Sequence, residues 1–177
     1  MKWLLIFAAL LSFVMYGHAI RKLFLRDHGV DPRMKALQLV GTISALGHLW
    51  ALWNSTVDVL RSVATLALYI AAILLFLAAR RAVAQYGLTL AFSPDKPKVL
   101  LQSGIYARIR HPFYTAYTLT WFAGIVGAPS LTTVITTAMM CSAYWIAAQM
   151  EEKKFLSSTL AENYSTYRSK AGMFWPK

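Results

Sequence analysis

Residues 112–150 read PFYTAYTLTWFAGIVGAPSLTTVITTAMMCSAYWIAAQM and contain no Asp, Glu, Lys or Arg. A helix needs about 20 apolar residues to cross the hydrocarbon core of a bilayer. This segment of 39 residues is therefore long enough for two crossings. Its middle holds the run from Gly124 to Ser130, which includes Pro129, and glycine and proline favour turns. We predict a helical hairpin over residues 112–150.

Three more uncharged stretches precede this hairpin, at Trp3–Ile20, Ala36–Val57 and Ser62–Ala79. Hydrophobic residues make up 58% of the 177-residue chain. Charged residues make up 14%, whereas soluble domains carry about 25%. The composition therefore disfavours a soluble globule and also intrinsic disorder, which requires low hydrophobicity. We predict an all-α, polytopic membrane helix bundle with five transmembrane helices, the C-terminal hairpin and a cytoplasmic tail.

The basic residues are concentrated on one side of this predicted bundle. Residues 21–35, 80–110 and 151–177 hold sixteen of the eighteen Lys and Arg residues, and only Lys2 and Arg61 lie on the other side. Basic loops remain in the cytoplasm, so we expect the amino terminus outside and the carboxyl terminus inside a prokaryotic inner membrane. The net charge of +11 then reflects topology and contact with membrane lipids. We expect no nucleic-acid partner.

The first helix has an alternative interpretation as a signal peptide. Lys2, the apolar core and Gly17-His18-Ala19 imitate a cleavage pattern, but the basic segment that follows favours a retained helix. We therefore expect one membrane domain over residues 1–177. Residues 1–80 would form three helices, and residues 81–177 would form the second half, with the hairpin 112–150 and the tail 151–177.

Two charged pairs, Arg110-His111 and Glu151-Glu152, flank the hairpin. His111 lies 18 residues before Pro129 and Glu151 lies 22 after it. At about 1.5 Å per residue, the two pairs reach nearly the same depth. Pro112 suits the first turn of a helix, whose free N–H groups favour an anion. The two acids suit a cation or ribose hydroxyls, so the pairs together indicate a zwitterionic ligand.

The same residues also have structural interpretations. Basic residues at a membrane interface often anchor to headgroups. The last helix can also continue past the two acids and pair them with Lys153, Lys154 or Arg110. Histidines 18, 28 and 48 and the single Cys141 have no metal-ligand spacing, so we predict no metal site. No glycine-rich nucleotide motif is present.

The segment LLQSGIYARIRHPFY at residues 100–114 resembles the isoprenylcysteine carboxyl methyltransferase family, which is related to the phospholipid methyltransferases. The resemblance continues in EEKKFL at residues 151–156, in Tyr164 and Tyr167, and in Pro176. It covers about the last 80 residues. It implies an integral-membrane enzyme that uses S-adenosylmethionine and methylates a lipophilic or prenylated acceptor.

The resemblance also implies where the cofactor binds. The contacts would be Lys98, Val99, Leu100, Leu101, Tyr106, His111, Pro112, Phe113, Tyr114 and Glu152, with Arg110 and Glu151 as supports. The sequence departs from the family pattern at Ala148, where eukaryotic members have an arginine for the carboxylate of the substrate. The acceptor is therefore left open, between a prenylcysteine-like carboxylate and another small lipid, and no catalytic base is assigned.

Two other functions fit parts of the pattern. Membrane sterol-type reductases that use NADPH also have an Arg-His block near the carboxyl end. The proline after His111 and the pair Glu151-Glu152 favour the methyltransferase. A nonenzymatic membrane scaffold or small transporter subunit is the other alternative, and it leaves the two charged pairs unexplained.

Overall fold

The computed structural model describes residues 1–23, 32–84, 97 and 99–177. This part of the chain folds into six α-helices and a short 3-10 helix at Gly104–Ala107. The α-helices are α1 (Lys2–Leu23), α2 (Pro32–Asn54), α3 (Val59–Val83), α4 (Pro112–Gly127), α5 (Leu131–Leu156) and α6 (Ala161–Lys170). No strand occurs among these residues, where one isolated bridge joins Ile109 and Gly172. The all-α prediction is therefore confirmed.

Four of the described helices, α1, α2, α3 and α5, are long and apolar enough to cross a membrane. The fifth predicted crossing corresponds to α4, which has only 16 residues. This is shorter than the roughly 20 residues that a perpendicular crossing needs. The structure therefore supports a polytopic helical protein with four candidate spans.

Local sequence signals account for where the helices begin. Asp58 caps α3 by accepting a hydrogen bond from the backbone N–H of Arg61 at 2.9 Å. Pro112 occupies the first turn of α4. A capping box starts α5, in which Ser130 Oγ accepts from Thr133 N–H and Thr133 Oγ1 accepts from Ser130 N–H. Such boxes satisfy N–H groups that the helix itself leaves free.

The break in the uncharged segment is shorter than the sequence suggests. The structure confines it to Ala128–Ser130, and both Gly124 and Gly127 lie inside α4. A Cβ atom on Gly124 would lie 2.2 Å from the ring of His48, and one on Gly127 would lie 2.9 Å from Thr65. These glycines therefore permit close packing of α4 on its neighbours, whereas we had assigned them to a turn.

The second half of the segment also ends later than predicted. We placed the start of the tail at Glu151, directly after the last uncharged residue. The structure continues α5 to Leu156. Glu151 and Glu152 consequently project from the last turns of a helix, where their positions are fixed relative to α4.

Aromatic packing places α4 at the centre of the described bundle. Phe76 of α3 contacts Phe113 and Tyr117 of α4, with ring centroids 5.4 and 6.3 Å apart. Tyr16 of α1 lies 4.5 Å from the ring of Tyr117 and shares a 2.6 Å hydrogen bond with Thr120. The start of α4 is thereby held between α1 and α3, beside the end of α5.

Candidate functional site

A cavity of about 530 Å³ lies between α1, α2, α4 and α5. Its polar end is formed by Arg110, His111 and Glu151, and its apolar lining includes Trp121 and Met140. This volume falls within the range of about 300–1,000 Å³ that is typical of small-molecule sites. The cavity therefore joins a charged end to an apolar interior.

Residues of α1 and α2 form one side of the cavity. The two helices touch through the rings of Trp3 and Trp53, whose centroids are 5.0 Å apart. Nearer the charged end, Val14 of α1 and Leu37 of α2 both line the cavity. Val14 is 60% exposed. The cavity therefore borders the apolar surface as well as the charged end.

His111 lies between two carboxylates. Its Nδ1 is 3.4 Å from Oε2 of Glu151, and its Nε2 is 3.3 Å from Oε1 of Glu152. The ring packs between Tyr114 and Phe174, with centroids 5.8 and 6.0 Å away. The meeting of the two charged pairs, predicted from their depth, is therefore found in the structure.

These contacts determine the charge of His111. Burial opposes protonation of the ring, but the hydrogen bonds and negative charges of Glu151 and Glu152 outweigh burial and raise the pKa of His111 above its ordinary value of 6.5. The imidazolium form is favoured because both ring nitrogens then donate to carboxylates. The polar end of the cavity thus carries groups of both signs.

Glu152 is bound mainly to other residues of the protein. Its Oε1 accepts hydrogen bonds from Arg110 Nε at 2.9 Å and forms an ion pair with Arg110 Nη2 at 2.8 Å. Arg168 Nε lies 3.4 Å from the other oxygen. Glu152 is only 3% exposed and does not line the cavity. Its pairing with Arg110 corresponds to the structural alternative for this residue.

Glu151 faces the cavity, in contrast to its neighbour. Its side chain is 23% exposed, and its Oε1 accepts a 2.6 Å hydrogen bond from the hydroxyl of Tyr114. A carboxylate oriented by a phenol and an imidazole retains lone pairs for a further partner. Of the two acids, Glu151 is therefore the one that a ligand in the cavity can contact.

The carboxyl-terminal residues fasten the start of α4. Arg110 N–H donates to Gly172 O at 2.8 Å, and His111 N–H donates to Met173 O at 3.1 Å. Arg110 Nη1 also donates to Ala171 O. The tail therefore accepts the two backbone N–H groups that directly precede the first turn of α4 and fixes the position of that turn.

Four tyrosine rings form one wall of the cavity, which we call the tyrosine wall: Tyr16, Tyr114, Tyr117 and Tyr144. A fifth, Tyr106 of the 3-10 helix, lies at its polar end. Burial, the carboxylate of Glu151 and the phenol of Tyr167 raise the pKa of Tyr106 above its ordinary range, so its hydroxyl remains protonated. Tyr106 is 8% exposed, and its hydroxyl has no hydrogen-bond partner among the described residues.

The structure separates the residues that the sequence grouped together. Seven predicted cofactor contacts line the cavity: Tyr106, Arg110, His111, Pro112, Phe113, Tyr114 and Glu151. Leu100 instead packs against a cluster around Tyr164, and Leu101 packs against the core between α1, α3 and α4. Val99 is 44% exposed and is also absent from the cavity wall. Lys98 lies outside the described residues.

Sequence reasoning missed the contributions of α1, α2 and the middle of α5. Tyr16, Gln38 and Tyr144 line the cavity, but aromatic residues in membrane helices are usually attributed to packing or to interfacial belts. The other intramembrane candidate, His48, is fully buried and does not line the cavity. Its Nε2 bonds to the hydroxyl of Tyr69 at 2.7 Å. His18 lies on the exposed side of α1.

Comparison with known proteins identifies a family over the part of the chain that forms most of the site. Residues 60–163 match the family described as phospholipid methyltransferase. The match includes α3, α4 and α5, and therefore both charged pairs and most of the tyrosine wall. A search of curated proteins finds no significant match to the chain.

Proposed function

The chain belongs to the phospholipid methyltransferase family, and from this premise we propose that it transfers a methyl group from S-adenosylmethionine to a lipophilic acceptor within a membrane. The family supplies the reaction class, and the apolar helices fit a multi-pass membrane protein. The observation that carries the proposal is the cavity, because it joins groups of both signs to an apolar interior.

The chemistry of the cavity fits the cofactor. S-adenosylmethionine carries a carboxylate, an ammonium group, ribose hydroxyls and a sulfonium. The positive charges of Arg110 and His111 lie at the end of the cavity where its carboxylate would bind, although their N–H groups are bonded within the protein, and Glu151 suits its ammonium group. The protonated and unpartnered hydroxyl of Tyr106 offers a hydrogen bond to a further polar atom. Because this oxygen is not fully enclosed by the protein and Tyr106 lines the cavity, a ligand in the cavity can reach it.

The geometry supports different roles for the two acids. Glu151 borders the cavity, so we assign it the direct contact with the cofactor. Glu152 holds Arg110 and His111 in position from behind. Both residues therefore belong to the proposed site, but only Glu151 touches the ligand.

When bound, S-adenosylmethionine supplies an electrophilic methyl group on its sulfonium. The protein would contribute alignment and exclusion of water, for which positioning alone is worth about 7–11 kcal/mol. His111 and Glu151 would orient the polar end, and the tyrosine wall would keep water from the reacting centre. An acceptor that is already ionised needs no general base, and we assign none.

The acceptor class follows from the apolar part of the cavity. We propose a small lipid or a prenylcysteine-like carboxylate that reaches the cavity from the bilayer, on the side that Val14 of α1 and Leu37 of α2 line. Ala148 is fully buried in α5 and supplies no charge for a substrate carboxylate. This supports a lipid other than a prenylcysteine.

For the membrane topology, we propose five crossings in a prokaryotic inner membrane, with the amino terminus outside and the charged end in the cytoplasm. The basic segments support this orientation. Because α4 has only 16 residues, its crossing would rely on the turn at Ala128–Ser130 lying near the headgroups. α4 and α5 would then form the hairpin that the sequence predicts.

Binding and transfer test the proposal separately. Calorimetry on the full chain, purified in detergent, should detect binding of S-adenosylmethionine and no binding of NADPH. Incubation with cofactor labelled in the methyl group and total bacterial lipids should then label a lipid fraction. Binding of NADPH alone would favour a reductase, and binding of neither would favour a nonenzymatic role. Either result would contradict the proposal.

A further inference from the structure

The tyrosine wall is continuous from α1 to α5. Tyr117 stands at its centre, with ring centroids 4.5 Å from Tyr16, 5.4 Å from Tyr144 and 6.2 Å from Tyr114. Tyr114 and Tyr144 stack on each other at 5.6 Å. All four rings border the cavity opposite residues of α2 such as Gly41. The wall therefore places four aromatic rings beside whatever occupies the cavity.

The hydroxyl groups of the wall differ in their partners. Those of Tyr114, Tyr16 and Tyr144 are hydrogen-bonded to Glu151, Thr120 and Trp121, respectively. The hydroxyl of Tyr117 has no such partner among the described residues, although Tyr117 is only 6% exposed. Its oxygen is not fully enclosed by the protein, and Tyr117 lines the cavity, so a ligand in the cavity can reach this part of the wall.

The depth of Tyr117 indicates which part of the cofactor it meets. Tyr117 lies three residues after Tyr114, which is one helical step of about 4.5 Å further from the charged end. Tyr114 is bonded to Glu151, the proposed partner of the ammonium group. In S-adenosylmethionine, only two methylene groups separate the sulfonium from the carbon that bears this ammonium group. An extended methionine chain therefore brings the sulfonium level with Tyr117.

We propose that the ring of Tyr117 binds the sulfonium of S-adenosylmethionine, and that it makes the cavity prefer the charged cofactor to its neutral product, S-adenosylhomocysteine. This inference rests on the proposed function. Cations bind to aromatic faces within about 6 Å of the ring centroid, and desolvation strengthens the attraction. The neutral thioether of the product lacks this attraction, so the same ring also favours release after transfer.

Calorimetric titration of the full chain with both compounds tests the inference. In Tyr117→Leu, affinity for S-adenosylmethionine should fall by about two- to thirtyfold, whereas affinity for S-adenosylhomocysteine should remain unchanged. Tyr117→Phe is the matched control, because it keeps the ring and removes the hydroxyl, and it should preserve the ratio of the two affinities. Each variant is titrated with both compounds from one preparation. A smaller fraction of folded protein therefore affects both titrations equally and does not change the ratio of the two affinities.

The outcomes separate this inference from the proposed function. If Tyr117→Leu lowers the affinities for both compounds equally, or lowers neither, the ring does not bind the sulfonium. The methyltransferase proposal then still stands. If the wild-type chain binds neither compound, both proposals fail. Where Tyr117→Leu does not fold, Tyr117→Met fills more of the ring volume without an aromatic face, and the same change in ratio is expected.

Discussion

The guanidinium of Arg110 and the carboxylate of Glu152 form a buried ion pair, with Nη2 2.8 Å from Oε1 and side chains that are 8% and 3% exposed. This pair joins the start of α4 to the end of α5. Arg110 also donates to the backbone carbonyls of Arg168 and Ala171, which ties the tail to the same point. The polar end of the cavity is therefore built on an internally neutralised pair.

Glu152→Gln should destabilise the protein strongly, because it leaves the buried charge of Arg110 without its partner. Breaking such a pair costs about 3–5 kcal/mol. Thermal unfolding in detergent should show a large decrease in midpoint. Glu162→Gln is the matched control, since Glu162 lies exposed on α6, and it should leave the midpoint nearly unchanged. Equal midpoints for both variants would contradict a supporting role for Glu152.

Glu151→Gln should mainly affect ligand binding. Glu151 is part of the cavity wall and is more exposed than Glu152, so its loss removes a charged contact without leaving a buried arginine unpaired. A hydrogen bond to a charged group is worth about 1.5–3 kcal/mol, which corresponds to roughly a 10- to 150-fold loss of affinity for S-adenosylmethionine. Calorimetry measures this effect. If Glu151→Gln instead binds S-adenosylmethionine normally and unfolds as readily as Glu152→Gln, Glu151 is a supporting residue and does not contact the ligand.

The contrast between Glu151 and Glu152 shows which features of the site can be predicted from the sequence. Helical rise alone predicts that Arg110-His111 and Glu151-Glu152 meet, because both flank one uncharged segment. Which acid faces the cavity depends on the rotation of α5 against α4, and adjacent positions on a helix point about 100° apart. The resemblance to a family ranked Glu152 first, whereas the structure places Glu151 on the cavity wall.

Other parts of the fold were predictable only in outline. The apolar stretches predict the helices, but glycines within them have two opposite uses. Gly124 was assigned to a turn and instead allows α4 to approach His48. Tyr16 lies far in the sequence from both charged pairs, and only the packing of α1 against α4 brings it to the cavity. Such long-range contacts leave no local motif.

Stability should decrease as the pH rises through the neutral range. The pKa of His111 is raised in the folded protein, so the folded state binds the proton more tightly than the unfolded state does. The resulting stabilisation is complete below pH 6.5, the ordinary pKa of histidine. It is lost as the pH rises through the higher pKa of the folded state. Unfolding midpoints measured between pH 6 and 9 should therefore fall.

His111→Gln removes the titrating group and should flatten this pH dependence. The other charged groups around His111 are Glu151, Glu152, Arg110 and Arg168, and they remain in the variant. A glutamine can still donate one hydrogen bond to a carboxylate. If the variant keeps the full wild-type decrease between pH 6 and 9, another group causes it.

Gly124→Ala should destabilise the bundle, although alanine is a better helix former than glycine by about 1 kcal/mol. The new Cβ would lie 2.2 Å from the His48 ring. That ring is confined by its hydrogen bond to Tyr69 and by its contact with Trp121. Overpacking of this kind costs about 1–3 kcal/mol or more, so the unfolding midpoint should fall. Gly17→Ala is the matched control, because a Cβ there meets nothing within 4 Å, and it should be neutral or stabilising. If the two alanine variants unfold alike, α4 does not depend on its close approach to His48.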